Sequence, residues 1–344
     1  MRICVIGAGA IGGLLAVRLK QAGADVSVVA RGAHLEAIRR DGLKLIGEDG
    51  AETIAQLKAS DRMGDLGAQD LVILGMKAHQ VAAVIPDLPS LYDAGTMVLS
   101  AQNGVPWWYF LKLGGEHDGR VLDSVDPGGV VTRGIDPDRI IGSVVYPAGE
   151  IAAPGVIRHI EGNRFSLSEI DNAPTERIKA MSEMFRAAGF KSPVVSDIRA
   201  EIWTKLWGNL VFNPVSALTH ATLAGICAFP ETRQLAADMM REAQTVGEKL
   251  GIRFRIPIEK RIAGAAAVGE HKTSMLQDVE AGRALELEAL VGAVIELGRI
   301  TGTPTPHISA IYACARLLGS TLTTLNGRLR LHPADPACGR ARKR

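Results

Sequence analysis

Four cysteines in 344 residues, Cys4, Cys227, Cys314 and Cys338, are too scattered for a disulfide framework or a metal site. Reduced thiols in a cytoplasmic protein are the expectation, with Cys4 inside a buried strand and no metal anywhere. Excess charge of one sign is missing as well. The 39 Lys and Arg against 37 Asp and Glu leave a formal charge of +2, so neither nucleic acid nor an anionic membrane is expected as a partner. Long apolar runs are absent in the sense that matters for a bilayer: the stretch Ile3–Val17 is interrupted by glycines and has no basic leader. No internal repeat or low-complexity segment is visible, and the basic end Arg340–Arg344, after Pro333 and Pro336, reads as a solvated tail. What remains is an ordinary globular composition, 47% hydrophobic and 22% charged. A single core stops growing at roughly 250–300 residues, so two are expected here.

The chain opens with an apolar strand that runs straight into Gly7-Ala8-Gly9-Ala10-Ile11-Gly12. Each glycine has its own task in such a motif. Gly7 permits a tight turn, Gly9 lets a pyrophosphate approach bare backbone, and Gly12 lets the next helix pack close to the sheet. That helix would offer its free N–H groups and positive dipole end to the phosphates. A helix containing Leu14, Leu15, Val17 and Leu19 follows, then a strand at Asp25–Ala30, which is the context dinucleotide binding requires. An acid that would bond a ribose 2′-hydroxyl is missing from the end of that strand. Val28-Val29-Ala30 is followed instead by Arg31, whose fork of donors suits a 2′-phosphate. The expected cofactor is therefore NADPH/NADP+.

Strands are expected at Arg2–Ile6, Asp25–Ala30, Leu71–Met76, Met97–Ala101, Arg120–Val125 and Ile140–Val145, with helical stretches such as His34–Arg40 and Val81–Leu91 between the earlier ones. Continuous Val/Ile/Leu runs separated by helices imply a parallel sheet covered on both faces. Val156–Ile160 and Arg164–Ser168 are expected to extend its edge. After a linker at Ser192–Ser196 the pattern turns helical, at Asp197–Phe212, Pro230–Leu250, Ser274–Arg299 and Pro306–Leu325. The fold class is α/β: a Rossmann-type parallel-sheet domain over residues 1–195, an all-α domain over 196–330, and a tail over 331–344.

Three segments outside the glycine turn carry chemistry. Gln102-Asn103-Gly104 ends a strand, where open α/β sheets bind ligands, and Met76-Lys77 ends another. Lys205, Asn209 and Asn213 lie at i, i+4 and i+8 and drift only about 80° around a helix, forming one polar ridge opposite Trp203 and Trp207. Pro214 is expected to end or kink that helix. The third segment is Ser274-Met275-Leu276-Gln277-Asp278 with Arg283 and Glu286. On one continuous helix Glu286 would fall within about 40° of Val279, Leu290, Ala293 and Leu297, on the apolar face, while Glu288 would face solvent. A carboxylate there needs a partner or a proton; a structural ion pair with Arg283 is the bland alternative.

With Arg31, these motifs resemble the ketopantoate reductase (2-dehydropantoate 2-reductase) family over roughly residues 1–325. The resemblance implies a substrate cleft between the two domains and NADPH-dependent reduction of 2-dehydropantoate to (R)-pantoate, on the route to pantothenate and coenzyme A. It implies Lys205 as general acid and Glu286 as the acid that binds the substrate hydroxyl and orients the ketone. It also implies Asn209, Asn213 and Ser274 as holders of hydroxyl and carboxylate groups, Asn103 as a bridge between cofactor and substrate, and Lys77 near the cofactor. The run Trp107-Trp108-Tyr109-Phe110 departs from the family pattern and leaves open another 2-oxo or 3-oxo acid as substrate. A non-catalytic NADP(H)-binding sensor on the same fold is a separate alternative, against which Lys205 and the costly Glu286 speak. The long apolar helical faces are compatible with a homodimer.

Overall fold

A computed structural model describes residues 1–327, so the tail over 331–344 lies outside the described residues. The N-terminal domain is built on eleven strands: β1 Arg2–Ile6, β2 Asp25–Val29, β3 Leu43–Ile46, β4 Glu52–Ala55, β5 Lys58–Ser60, β6 Leu71–Leu74, β7 Met97–Ser100, β8 Ile140–Val145, β9 Ala148–Ala153, β10 Val156–Glu161 and β11 Phe165–Glu169. Its helices are α1 Ala10–Gln21, α2 Gly32–Asp41, the short α3 Val130–Gly134 and α4 Glu176–Ala187. Seven strands form one sheet in the order β11-β8-β7-β6-β1-β2-β5, parallel except for β11. β1, β6 and β7 are buried almost end to end, which is why they read as unbroken apolar runs. β1 lies between β2 and β6, so the glycine turn after it opens where the strand order reverses.

Val156–Ile160 does not extend this sheet. It belongs to a second, four-stranded sheet, β4-β3-β10-β9, that lies over α1. The fit is close: a Cβ on Gly13 would stand 2.6 Å from Ile157 Cγ1. Arg164–Ser168 does supply the main sheet's edge, as β11. The strand expected at Arg120–Val125 is a run of turns instead. Val125 and Asp126 donate back to Leu122 O, and the Glu296 carboxylate takes the N–H groups of Asp123 and Ser124, so this backbone is satisfied without a ladder. Val81–Leu91 lies within a 3₁₀ run, Ala78–Leu91; Pro86 and Pro89 deny it α-helical bonds. The Ser192–Ser196 linker is tied along β11 by bonds from Leu167 N to Pro193 O and from Val195 N to Leu167 O.

The second domain is helical: α5 Ile198–Thr219, α6 Leu223–Ala228, α7 Pro230–Lys249, α8 Ile258–Ala267, α9 Ser274–Glu280, α10 Ala293–Ile300 and α11 Pro306–Thr324. Asp197 caps α5 through the N–H of Ala200. Pro214 does not end α5. Residues Leu210–Ala217 are buried, and that packing outweighs the roughly 3 kcal/mol an internal proline costs. Ser274–Arg299, by contrast, is not one helix. Gly282 adopts φ +64° and its neighbour Arg283 donates to Asp278 O, which stops α9. The chain resumes as a π turn at Glu288–Gly292 that leads into α10.

The aromatic run is core. Trp107 and Trp108 pack with Ile198 and Ile202 on one face of the sheet, while Tyr109 and Phe110 join the helical core beside Trp203 and Leu206. Trp203 Nε1 donates to the Tyr109 hydroxyl at 2.7 Å. Among the described residues no helix is long and apolar enough to cross a membrane.

Candidate active site

The glycine turn has the shape its sequence requires. Gly7 sits at φ +93°, where a Cβ would be 2.9 Å from Met76 N, and a Cβ on Gly12 would be 2.0 Å from Gly7 O. Gly9 faces open space, with nothing within 4 Å of its Cβ position. Helix α1 starts there without a side-chain cap, so its first N–H groups point at that space without protein partners. An anionic group fits this cradle in shape and charge. Arg31 is exposed at the N-cap of α2, just past β2. Sequence reasoning missed His34. Its Nε2 donates to Ala8 O at 2.7 Å and its Nδ1 accepts from Gly155 N at 2.9 Å, so a neutral imidazole braces the turn. A lone histidine on a surface helix gave no signal of this.

Lys77 leaves the sheet at the end of β6 and crosses to the helical domain. Its Nζ donates to Asp278 Oδ2 and to Ala284 O, each at 2.8 Å. Asp278, buried, also accepts from Arg283 Nε at 2.8 Å. Arg283 therefore pairs with Asp278 rather than with Glu286.

Asn103 is pinned where the two domains meet. Gln102 donates to Leu74 O at 2.8 Å, and Val105 N donates to Ala289 O at 2.8 Å. Gly104 between them has φ +88°. Lys205 reaches the same place from α5: its Nζ donates to Asn103 Oδ1 at 2.5 Å and to Val145 O, and stands 5.7 Å from the centre of the Tyr146 ring. Gln102, Asn103, Gly104, Val145, Lys205 and Asn209 line one narrow cleft. Asn213, a turn further along, is buried and its Nδ2 approaches Ser274 Oγ at 3.5 Å; Ser274 itself is exposed.

Glu286 is not on a helix; it lies in the irregular stretch before the π turn, so its place does not come from a helical face. Its carboxyl is nonetheless enclosed. Burial pushes its pKa up and Asp278 adds to this, while Lys77, the Ala78 N–H and Lys205 oppose it. Burial likewise pushes Lys205 down to about 8, against the pull of Glu286. Each group thus feels the other across the cleft. Glu288 does not face solvent as a free charge: both its oxygens accept from the Tyr312 hydroxyl at 2.8 Å. A roomier cavity, about 490 Å³, lies beyond the π turn between Arg120, Glu288, Glu296, Arg299 and Tyr312. None of the residues assembled around Lys205 lines it.

A parallel-sheet domain with an open glycine turn, facing a helical domain that contributes a lysine and an acid at the seam, defines a two-domain Rossmann-type class. Comparison narrows it. The family described as "Ketopantoate reductase PanE/ApbA" matches residues 3–172, and its C-terminal companion, "Ketopantoate reductase PanE/ApbA C terminal", matches residues 197–319. The 2-dehydropantoate 2-reductase of Mesorhizobium japonicum is 55% identical over 92% of this chain and 98% of its own. That of Archaeoglobus fulgidus is 31% identical over 88% and 92%. A solved structure from Ralstonia solanacearum MolK2, assigned to the ketopantoate reductases, is 38% identical and superimposes with a TM-score of 0.89 over 94% of this chain and 98% of that one. The chain belongs to the ketopantoate reductase family.

Proposed function

We propose that this protein is an oxidoreductase that reduces the ketone of 2-dehydropantoate to the alcohol of (R)-pantoate, with NADPH as the hydride donor. The reaction follows the family and the 55% identical relative. The observation that carries the assignment of residues is the hydrogen bond from Lys205 to Asn103 at the domain seam, with Glu286 near enough to hold the Lys205 pKa up against burial. When bound, the reduced nicotinamide supplies a hydride to the carbonyl carbon. Lys205 supplies the proton to the carbonyl oxygen, and its charge stabilises the developing alkoxide. A pKa lowered to about 8 makes that proton easier to give while the group stays charged at neutral pH.

Glu286, whose pKa is raised, binds the substrate hydroxyl and orients the ketone. Asn209, Asn213 and Ser274 hold the hydroxyl and carboxylate groups, and Asn103 links substrate to cofactor. Residues Gly7, Ala8, Gly9, Ala10, Ile11 and Gly12 cradle the pyrophosphate. Arg31 takes the 2′-phosphate, and Lys77 lies near the cofactor. Arg31, with no acid at the end of β2, favours the phosphorylated cofactor over NADH. The reading places a small-molecule enzyme in the cytoplasm. The aromatic run that prompted a different 2-oxo acid is absent from the cleft lining, so it no longer argues for one. NADPH absorbance followed with 2-dehydropantoate and a panel of 2-oxo acids tests the assignment. Turnover of another acid alone changes the substrate, and cofactor binding without turnover of any acid makes the protein a sensor.

A further inference from the structure

Arg261, on α8, is a cation without a counter-charge among the described residues. Its Nε is enclosed and has no hydrogen-bond partner, and its one electrostatic neighbour of note is the neutral Tyr146. Tyr146 supplies no counter-charge: its hydroxyl keeps its proton and donates it to Glu201 at 2.9 Å, and Glu201 is paired with Arg164 at 2.8 Å. Burial pushes the guanidinium's pKa down. An enclosed guanidinium N–H with no acceptor costs free energy unless a ligand supplies what is missing.

The position of this group is specific. It lies against α5 at Gly208, where a Cβ would stand 2.2 Å from Nη2 and 3.0 Å from Cζ, so any side chain there would push the guanidinium aside. Gly208 is three residues beyond Lys205 and next to Asn209. Residues three apart on a helix are neighbours, about 5–6 Å between Cβ atoms. The Tyr146 ring, beside Lys205 Nζ, is the shared neighbour of both cations.

We propose that Arg261 anchors the carboxylate of the substrate. In a 2-oxo acid the carboxylate and ketone sit on adjacent carbons. Two cations about one helical turn apart on the same stretch of α5 suit that pair: the planar fork takes the carboxylate bidentately while the ammonium faces the ketone oxygen. Asn209, Asn213 and Ser274 are then left for the hydroxyl end. The inference rests on the reductase reading above and adds the group that makes the site select acids over uncharged ketones.

The test compares wild type with Arg261→Met and Arg261→Lys, using 2-dehydropantoate and its lactone, which keeps the ketone and lacks the free carboxylate and the free hydroxyl. The hydroxyl is missing for every enzyme form, so the change in preference between forms reads the carboxylate. Arg261→Met is expected to raise KM for the acid roughly 10- to 100-fold, the range for a lost charge-assisted hydrogen bond, and to collapse the preference for acid over lactone. Arg261→Lys should restore part of it. Tm of the unliganded protein should hold or rise in Arg261→Met, because no partner is lost. Equal losses on acid and lactone, or a fall in Tm with the preference intact, would overturn the proposal and make Arg261 a structural residue. If wild type fails to reduce 2-dehydropantoate, it is the reductase reading that falls. Arg261 is then decided by thermal shift with pantoate and with pyruvate: stabilisation of wild type that vanishes in Arg261→Met supports it, and stabilisation equal in both, or none in wild type, sinks it.

Discussion

The N–H of Val105 donates to the carbonyl of Ala289 at 2.8 Å, and through this bond the turn that holds Asn103 is fixed to the π turn that follows Glu286. The two halves of the cleft are therefore set by backbone. Gly104 lies inside the contact at φ +88°, and a Cβ there would stand 2.4 Å from Ala289 O. Neither the dihedral nor the space admits a side chain.

Gly104→Ala should therefore separate the two halves. We expect a loss of about 1–3 kcal/mol of stability from the strained dihedral alone, with a larger fall in kcat, since Asn103 and Lys205 would lose their register with Glu286. Thermal unfolding and steady-state kinetics read the two effects. Activity near wild type would mean that the contact is incidental.

Lys205→Ala is expected to lower kcat by at least ~10²-fold, the lower end of what a general acid contributes. Reduction needs the protonated lysine, so the kcat/KM of wild type, which reports the unliganded enzyme, should fall as pH rises through about 8, and this limb should be missing from the residual activity of the variant. Stability follows the same group with the opposite sign. The folded protein releases this proton near 8 and the unfolded chain near 10.5, so the folded state gains stability as pH rises between them. A reduction rate indifferent to pH between 7 and 9 would count against Lys205 as the proton source.

Arg31→Ala should reduce kcat/KM for NADPH by roughly tenfold and leave NADH unaffected, the modest size reflecting an exposed guanidinium. Equal effects on the two cofactors would show that Arg31 does not read the 2′-phosphate.

Much of this site was legible because its signals are local. The glycine turn needs only strand, turn and helix in succession, and the i, i+4, i+8 ridge survives on any helix, even one that runs past Pro214. Glu286 shows the limit of such reasoning. It was placed by a helical wheel drawn over residues 274–299, yet the chain breaks at Gly282 and the carboxyl is enclosed by tertiary contacts with Ala78 and Lys77. The second sheet escaped notice because β4 and β9 are largely exposed, with little apolar alternation to mark them. Arg261 gives no sequence signal either: its lack of a partner is a property of three dimensions.

Asp278 tests how the seam sets the chemistry of Glu286. It holds Lys77 and Arg283 at 2.8 Å each, and its charge helps keep the Glu286 pKa raised. Asp278→Asn keeps the shape and removes the charge. Lys77 and Arg283 are partly exposed, so the stability cost should be about 1–2 kcal/mol, below the figure for a fully buried pair. The informative readout is the pH dependence of KM. Without the Asp278 charge, and with Lys77 unopposed, Glu286 loses its proton more readily. The limb of the KM profile that follows Glu286 should accordingly move to lower pH, while the limb near 8 that follows Lys205 stays in place. A shift of both limbs together, or of neither, would mean that Glu286 is not tuned through this pair.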